Sequence, residues 1–208
     1  MPGKEAQIET LQKYLPEGTF SSVLNYLKQY KVHLTISRKR KSILGDYRHR
    51  TQFSNHRISV NGNLNPFSFL ITLLHELAHL LTYEQHSNKV LPHGREWKII
   101  YSKMLENFLS DKVFPPDIES ELRQSIINPA ASSCVDECLL RVLRKYDQRK
   151  SSWLLLEEIP EAAFFKIENG RVFIKGEKLR KRIKCREVHT KKEFLFSPVY
   201  EVEVVCSE

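Results

Sequence analysis

The stretch HELAHLLTYEQHSNKVLPHGREWK, residues 75–98, contains residue types that bind zinc and transfer protons. His75 and His79 lie four positions apart, and Glu76 follows the first of them. On an α-helix such a pair differs by about 40° in azimuth and by roughly one turn along the axis, so both imidazoles can reach one ion. Glu76 is rotated by about 100°, which places it beside the ion. This arrangement predicts a hydrolytic zinc site in which a carboxylate takes a proton from water.

The alternative is a core helix that contains two histidines by accident. Burying two imidazoles and a carboxylate together on an apolar helix is costly unless something binds them. The sequence therefore favours Zn²⁺ bound by His75 and His79, with Glu76 as the catalytic base.

Three residues downstream are candidates for the third ligand. His86 would lie about 10 Å further along a continuing helix, and Thr82 stands where a sharp turn would need glycine. His93 is flanked by Pro92, which disfavours helix before it, and by Gly94, which frees the backbone. Our choice is His93, followed by Glu96 and then His86.

The flanking periodicities predict the elements that position this site. Residues 5–30 are helical in pattern, and residues 32–37, 43–49 and 57–62 alternate like strands, for which an antiparallel meander is the simplest sheet. Asn65-Pro66 starts a buried helix that runs to about residue 83. A second helix is predicted over residues 93–108, with Trp97 in its apolar stripe. The histidines at positions 33, 49, 56 and 189 are expected to face solvent.

The remaining chain predicts a separate β-rich part. Residues 116–129 contain a short helix and a linker, and residues 134–147 contain a further helix. Residues 164–176 form two strand-like runs joined at Asn169-Gly170, a hairpin signal. We predict an α+β protein with domains at 1–128 and 129–208.

Composition restricts the class of protein. The chain has 208 residues, with 33 Lys and Arg against 25 Asp and Glu, so its net charge is +8. This balance favours polyanionic partners. Neither a secretory signal nor an apolar run long enough to cross a membrane is visible, which predicts a cytoplasmic protein without a membrane partner. The four cysteines are too few and too irregular for a secreted disulfide scaffold.

The segment LLHELAHLLTYEQHSNKVLPHGREWK resembles the SprT-type (SprT/Spartan) zinc metallopeptidases, which have HExxH on one helix and His-Gly-x-x-Trp/Phe at the start of the next. The preceding LTISRKRKSILGDYRHRTQFSNHRISVNGNLN is also similar to that family, and the match covers residues 20–109. The resemblance implies a zincin-like core of a small antiparallel sheet and an active-site helix. It implies one catalytic Zn²⁺ on His75, His79 and His93, with Glu76 as base. It also implies protein substrates crosslinked to or associated with DNA, and a nucleoid location in a bacterium.

The C-terminal part is similar to the ribbon-like domain of that family, with one departure. Family ribbons often hold a second zinc through two CxxC-type pairs. Here Cys134 and Cys138 are separated by three residues, and Cys185 and Cys206 are single. A second, structural zinc is therefore not expected.

Residues 175–186, KGEKLRKRIKCR, are the candidate nucleic-acid-binding segment. Its cations are Lys175, Lys178, Arg180, Lys181, Arg182, Lys184 and Arg186, with smaller runs at residues 38–41 and at Arg48 and Arg50. Strand alternation would place about half of the long run beside Phe173, Phe194, Phe196 and Tyr200. Cations beside aromatic rings suit single-stranded or sequence-independent DNA binding. The alternative is a solvated edge strand protected by lysines.

Three functions fit these residues. The first is a zinc endopeptidase that acts on DNA-associated proteins, with Tyr83, His86 or Arg95 as possible oxyanion helpers. The second is a nucleic-acid-binding or transcription-associated protein whose zinc is structural, which a fourth protein ligand would favour. The third is a zinc hydrolase that acts on another bond.

Overall fold

The computed structural model describes residues 8–40, 43–127, 136–148 and 152–205. The chain forms two compact units, Met1–Asp147 and Gln148–Glu208. None of the described helices combines the length and apolar character needed to cross a membrane.

The first unit surrounds one large hydrophobic core. Its helices and strands are α1 (Ile8–Leu11), α2 (Phe20–Gln29), β1 (His33–Ser37), β2 (Gly45–Arg48), β3 (Arg57–Asn61), α3 (Pro66–His86), α4 (Arg95–Ser110), α5 (Pro116–Ile127) and α6 (Glu137–Arg144). The long helix α3 packs against α4 and against strands β2 and β3. This combination confirms a mixed α+β architecture.

The three-stranded sheet has the order β1-β3-β2. Strand β2 pairs antiparallel with β3, as predicted, whereas β1 pairs parallel with β3, so the meander was wrong for β1. The link from β1 to β2 is held at the end of β3 by Arg40, whose Nε donates to Asn61 Oδ1 at 2.8 Å, and Asn61 Nδ2 donates to the carbonyl of Ile43. Alternation reports which face a residue occupies, but it does not report which strands are neighbours.

Helix α3 begins where the sequence predicted. Asn65 is its N-cap and accepts a hydrogen bond from the Ser68 backbone N–H at 2.9 Å, and Pro66 occupies the first turn. Its middle is buried on nearly every side, which fits its apolar composition. It extends to His86, and Ser87 then ends it with a positive φ of 53°.

Helix α6 belongs to the first unit. Leu139 and Leu143 lie in its core, and Asn65 Nδ2 donates to the Leu143 carbonyl at 2.9 Å. The division in the structure therefore falls after α6, later than the boundary predicted between residues 128 and 129.

The second unit contains one antiparallel sheet with its own core. Its strands are β4 (Trp153–Leu155), β5 (Phe164–Lys166), β6 (Val172–Leu179), β7 (Arg182–Glu187), β8 (Glu193–Phe196) and β9 (Glu201–Val204), in the order β4-β9-β5-β6-β7-β8. The hairpin predicted at Asn169-Gly170 joins β5 and β6, and Gly170 has the positive φ of 85° that such a turn favours. The β-rich character of this part is confirmed.

Candidate metal centre

Three histidine rings converge at the middle of α3. The Nε2 atoms of His75 and His79 are 3.2 Å apart, and Nε2 of His93 lies 3.1 Å from the first and 2.9 Å from the second. Three nitrogens bound to one tetrahedral zinc ion at 2.0–2.1 Å would be roughly 3.3 Å apart. The three donors therefore fit one small cation with little adjustment.

The loop before α4 brings His93 to the other two rings. Leu91, Pro92, His93 and Gly94 form a β-turn in which the Gly94 N–H donates to the Leu91 carbonyl at 2.9 Å. Proline in the second position and a positive φ of 57° at His93 match a type II turn. Histidine tolerates this conformation better than most residues. At Gly94 a methyl group would lie 2.9 Å from the Leu91 carbonyl oxygen, so the tight turn requires glycine.

Trp97 forms a platform behind the histidines. The indole is fully buried, and its centroid lies 4.7 Å from the rings of His75 and His93 and 5.3 Å from that of His79. Tyr101 stacks on the indole at 4.9 Å and also lies 5.6 Å from the His75 ring. The sequence placed Trp97 in an apolar stripe, whereas the structure adds a role in fixing all three rings. The spacing of Trp97 four residues after His93 was the available signal.

The protonation of the cluster suits a cation. Burial and the neighbouring histidines lower the pKa of His75 to about 3, and burial, with His93, lowers that of His79 to about 4. Burial also lowers the pKa of His93. Neutral imidazoles offer lone pairs, which is the state that a metal binds. The residues present therefore fit a zinc ion.

Glu76 lies outside this group of ligands. Its side chain is only 7% exposed, and burial, reinforced by the negative charge of Asp46, raises its pKa to about 8, against the opposing effect of Arg40. A divalent cation nearby would favour the ionised form. Burial thus makes this carboxylate a stronger base than a free glutamate, and a bound cation would reduce that difference.

Gly45 on β2 leaves the space that the Glu76 carboxylate occupies. A methyl group there would lie 2.5 Å from Oε1 of Glu76 and 2.8 Å from Cγ2 of Thr72. Among the described strands β2 is at the edge of its sheet, so this contact places an edge strand beside the carboxylate. The Leu-Gly pair in the sequence was the signal for this close approach.

Replacing Gly45 with alanine is expected to lower kcat for proteolysis by roughly 10- to 100-fold, because the added methyl group displaces Glu76 from its position. Zinc content should be retained, since the three histidines are not contacted. Overpacking should also lower the free energy of unfolding by about 1–3 kcal/mol. Kinetics and metal content on the purified variant test this, and a folded variant with unchanged kcat would remove Gly45 from the positioning of Glu76.

His56 is not at the solvent-facing position expected from the sequence. It is 2% exposed, and its Nδ1 accepts hydrogen bonds from the Tyr47 hydroxyl at 2.9 Å and from the Arg50 backbone N–H at 3.3 Å. Nε2 therefore carries the proton and lies 3.3 Å from Oε1 of Glu84. Burial lowers the pKa of this ring. The alternation in the sequence did not predict the burial of His56, because this residue precedes β3 and is not part of a periodic run. His189 is exposed, as expected.

The other candidate ligands and helpers lie elsewhere. Neither His86, the last residue of α3, nor Glu96 belongs to the converging group. Tyr83 stacks on His49, with ring centroids 4.6 Å apart. No contact of Tyr83, His86 or Arg95 singles out an oxyanion helper among the described residues.

The basic segment of residues 175–186 divides between two environments. Lys175 is buried, and its ammonium group donates to the carbonyls of Ile159 at 2.5 Å and Glu157 at 3.4 Å, so it does not belong to an exposed basic surface. The other six predicted residues are on the surface or half-buried: Lys178, Arg180, Lys181, Arg182, Lys184 and Arg186. Lys184 and Arg186 alternate with buried Ile183 and Cys185 on β7 and share one face.

The aromatic rings lie on the opposite face of β7 from Lys184 and Arg186, whereas Arg182, at the start of the strand, lines a pocket with Phe194 and Phe196. Phe173 is buried in the core of the second unit, and Phe194 and Phe196 pack against that core. Arg171 covers this group, with its guanidinium 5.1 Å from the Phe173 centroid and 4.8 Å from that of Phe194. The expected placement of cations beside these rings was therefore wrong for Lys184 and Arg186, whereas Arg182 does lie beside them.

Glu187 is a buried acid that makes the stability of the second unit depend on pH. Its Oε1 accepts from Arg171 Nε at 2.6 Å and its Oε2 accepts from Thr190, and these hydrogen bonds, the one from Arg171 first, lower its pKa to about 2. A depressed pKa stabilises the folded state above the ordinary glutamate pKa, and this stabilisation is lost as the pH falls through the folded value.

Glu187→Gln should therefore destabilise the β6–β7 region near neutral pH, and the difference from the parent should shrink from about pH 6 to about pH 2. Amide hydrogen exchange of β6 and β7 measures this effect locally. Glu193→Gln is the matched control, because Glu193 pairs with Lys184 at the surface and should contribute little. An equal effect of both substitutions at all pH values would contradict the assignment.

The two described cysteines lie in different surroundings. Cys185 lies in the core of the second unit, where burial raises the pKa of its thiol, and Cys138 is exposed on α6. Cys134 and Cys206 lie outside the described residues. The expectation about a second zinc stays a prediction.

The fold and the cluster define an α+β protein with three histidines that could hold a metal ion, two on a buried helix and the third in the turn before α4. The SprT-like family model matches residues 8–120, which is more than half of the chain and includes every residue of the cluster. The chain belongs to the SprT-like family, which is associated with zinc and with a metallopeptidase-type function. No curated protein and no solved structure matches it significantly.

Proposed function

We propose that the protein is a zinc-dependent endopeptidase that acts on proteins associated with or crosslinked to DNA. The observation that carries this proposal is that the imidazole of His93 converges with those of His75 and His79, which lie on the helix that also holds Glu76. Family membership supports the reaction class. The basic composition supports a polyanion near the substrate.

His75, His79 and His93 would hold the ion through their Nε2 atoms. When bound, zinc supplies Lewis acidity that makes water a nucleophile near neutral pH. Glu76 accepts the proton of the attacking water and returns it to the leaving amine. Trp97 holds the imidazole rings in place, and Gly45 keeps the Glu76 carboxylate in position.

The edge position of β2 among the described strands supports a peptide as the substrate. An extended chain can add to an exposed strand edge through main-chain hydrogen bonds, which requires no particular side chain. Because Gly45 has no side chain, the Glu76 carboxylate packs directly against this strand.

A structural zinc with no proteolysis is the competing function. Structural sites are closed by four protein ligands, whereas catalytic sites keep one position open. Among the described residues, no fourth histidine, cysteine or carboxylate joins the three histidines. This favours the enzyme.

The test combines metal content with proteolysis on the full chain. Zinc-loaded protein should cleave β-casein, and chelation should abolish cleavage while readdition of zinc restores it. Histone H1 then serves as a DNA-binding substrate, with and without single- or double-stranded DNA. Absence of cleavage by fully loaded protein would reject the peptidase, and cleavage that no DNA alters would reject its association with DNA.

A further inference from the structure

An exposed aromatic ring lies at the tip of the loop between β2 and β3. The side chain of Phe53 is 92% exposed. The turn that carries it is ordered: Thr51 and Ser54 pair through a backbone N–H···O bond of 2.9 Å, and the Phe53 N–H donates to Thr51 Oγ1 at 3.2 Å. Single exposed apolar residues are common, so the surroundings of the ring decide its meaning.

Those surroundings are cationic. Arg48 and Arg57 lie directly opposite each other on neighbouring strands, on the same face of the sheet. Like charges in this position destabilise a sheet unless an anion compensates them. Arg48 pairs with Asp46 at 2.9 Å, whereas Arg57 forms no ion pair with the described residues. From residue 47 to residue 75 the sequence contains no Asp or Glu.

The loop is attached to the helix that holds the metal ligands. Nη2 of Arg50 lies 3.2 Å from Oε1 of Glu84, which also contacts His56, and the His49 ring stacks on Tyr83. Tyr83 is one turn beyond His79 on α3. The loop therefore has a fixed position near the metal centre, within the first unit.

We propose that residues 48–57, which we name the β2–β3 loop, bind single-stranded nucleic acid. Phe53 stacks on a base, and Arg57, with Arg48, contacts phosphates. An exposed ring stacks on any base, and arginines contact any phosphate, so this binding is independent of sequence. The polar neighbours of the ring, Gln52 and Asn55, suit a nucleic acid better than a lipid surface, which would favour a broader apolar face.

This inference rests on the proposed function and deepens it. Nucleic acid held by the β2–β3 loop would lie beside the last turns of α3, about one turn beyond His79, so a protein bound to that strand would be brought to the peptidase site. The basic segment of the second unit would then be a separate contact.

The test measures binding of a fluorescein-labelled oligothymidine to the full-length, zinc-loaded Glu76→Gln variant, which removes proteolysis from the assay. Adding Phe53→Ala should weaken binding by roughly 5- to 100-fold, the range for one base stacked on an aromatic ring. Adding Arg57→Gln should weaken binding and reduce the slope of log K against log salt by about 1.

Matched controls lie in the same unit. Ile127→Ala removes a side chain that is 86% exposed at the end of α5, and Arg123→Gln removes an arginine paired with Glu119. Neither should change binding. In the active parent background, Phe53→Ala should leave cleavage of β-casein without DNA unchanged.

A Phe53→Trp variant reports contact directly, because stacking on a base should quench the emission of the introduced tryptophan. Unchanged oligothymidine binding by Phe53→Ala would overturn the inference. Binding of poly-glutamate as tight as that of oligothymidine would also overturn it. The same holds if Phe53→Ala weakens binding to anionic lipid vesicles more than it weakens binding to oligothymidine. If the zinc-loaded parent does not cleave casein, the proposed peptidase function is rejected, but the result on oligothymidine binding still holds. Failure of the proposed function and failure of this inference are therefore distinguishable.

Discussion

Replacing Glu76 with glutamine is expected to lower kcat for β-casein cleavage by roughly 10²- to 10⁴-fold, the usual contribution of a general base. Glutamine keeps the size of the side chain but cannot accept a proton from water. Zinc content should stay the same, because Glu76 lies outside the converging group of histidines. The same samples should be analysed for metal and for steady-state kinetics.

The buried setting of Glu76 gives this substitution a second expected result. Burial raises the pKa of the carboxyl, so the uncharged amide avoids the desolvation of a negative charge. The metal-free Glu76→Gln protein should therefore be at least as stable as the metal-free parent above about pH 8, where the parent must bury a charge. Glu106→Gln on α4, at an exposed position, is the matched control and should change neither kcat nor stability. Equal activity of Glu76→Gln and parent would exclude Glu76 as the base.

The local geometry around the metal centre was predictable because each step depends on near neighbours in sequence. Asn65 and Pro66 start α3, and helical spacing then places His75 and His79 together. Pro92 and Gly94 define the turn that presents His93. Such signals need no knowledge of how distant segments pair.

The arrangement of strands was less predictable. Alternation places Leu34 and Ile58 on the inner face, but it shows neither that β1 pairs parallel with β3 nor that Arg40 bonds to Asn61 at the end of β3. Those contacts join residues that are far apart in sequence. The burial of His56 has the same origin, since its partner Glu84 lies on α3.

The basic strands show another limit of prediction from sequence. Lys175 points into the core because its ammonium group reaches backbone carbonyls, which charge counting does not reveal. The register of β6 against β7 then shifts between Lys175 and Lys178, so alternation does not continue across the hairpin. A run of cations therefore predicts a charged segment better than it predicts a charged face.

The choice of third ligand has a sharp test in His93→Ala. Removing this imidazole should weaken zinc binding by at least about 100-fold, because even the loss of an indirect partner of a ligand costs roughly 10- to 100-fold. His86→Ala should keep the affinity of the parent, since His86 is outside the converging group. Isothermal titration of the metal-free proteins with zinc measures both.

The fold should survive His93→Ala, because the ring is only partly buried and lies in a turn. His93 has a positive φ, which glycine adopts without strain. His93→Gly therefore serves as a second variant that removes the ligand without straining the backbone. Both variants should lose zinc and proteolysis together while thermal unfolding of the metal-free protein stays close to that of the parent. If His86→Ala instead lost zinc and both His93 variants retained it, the third donor would have to come from the end of α3, and the convergence of rings around Trp97 would not describe the metal-bound protein.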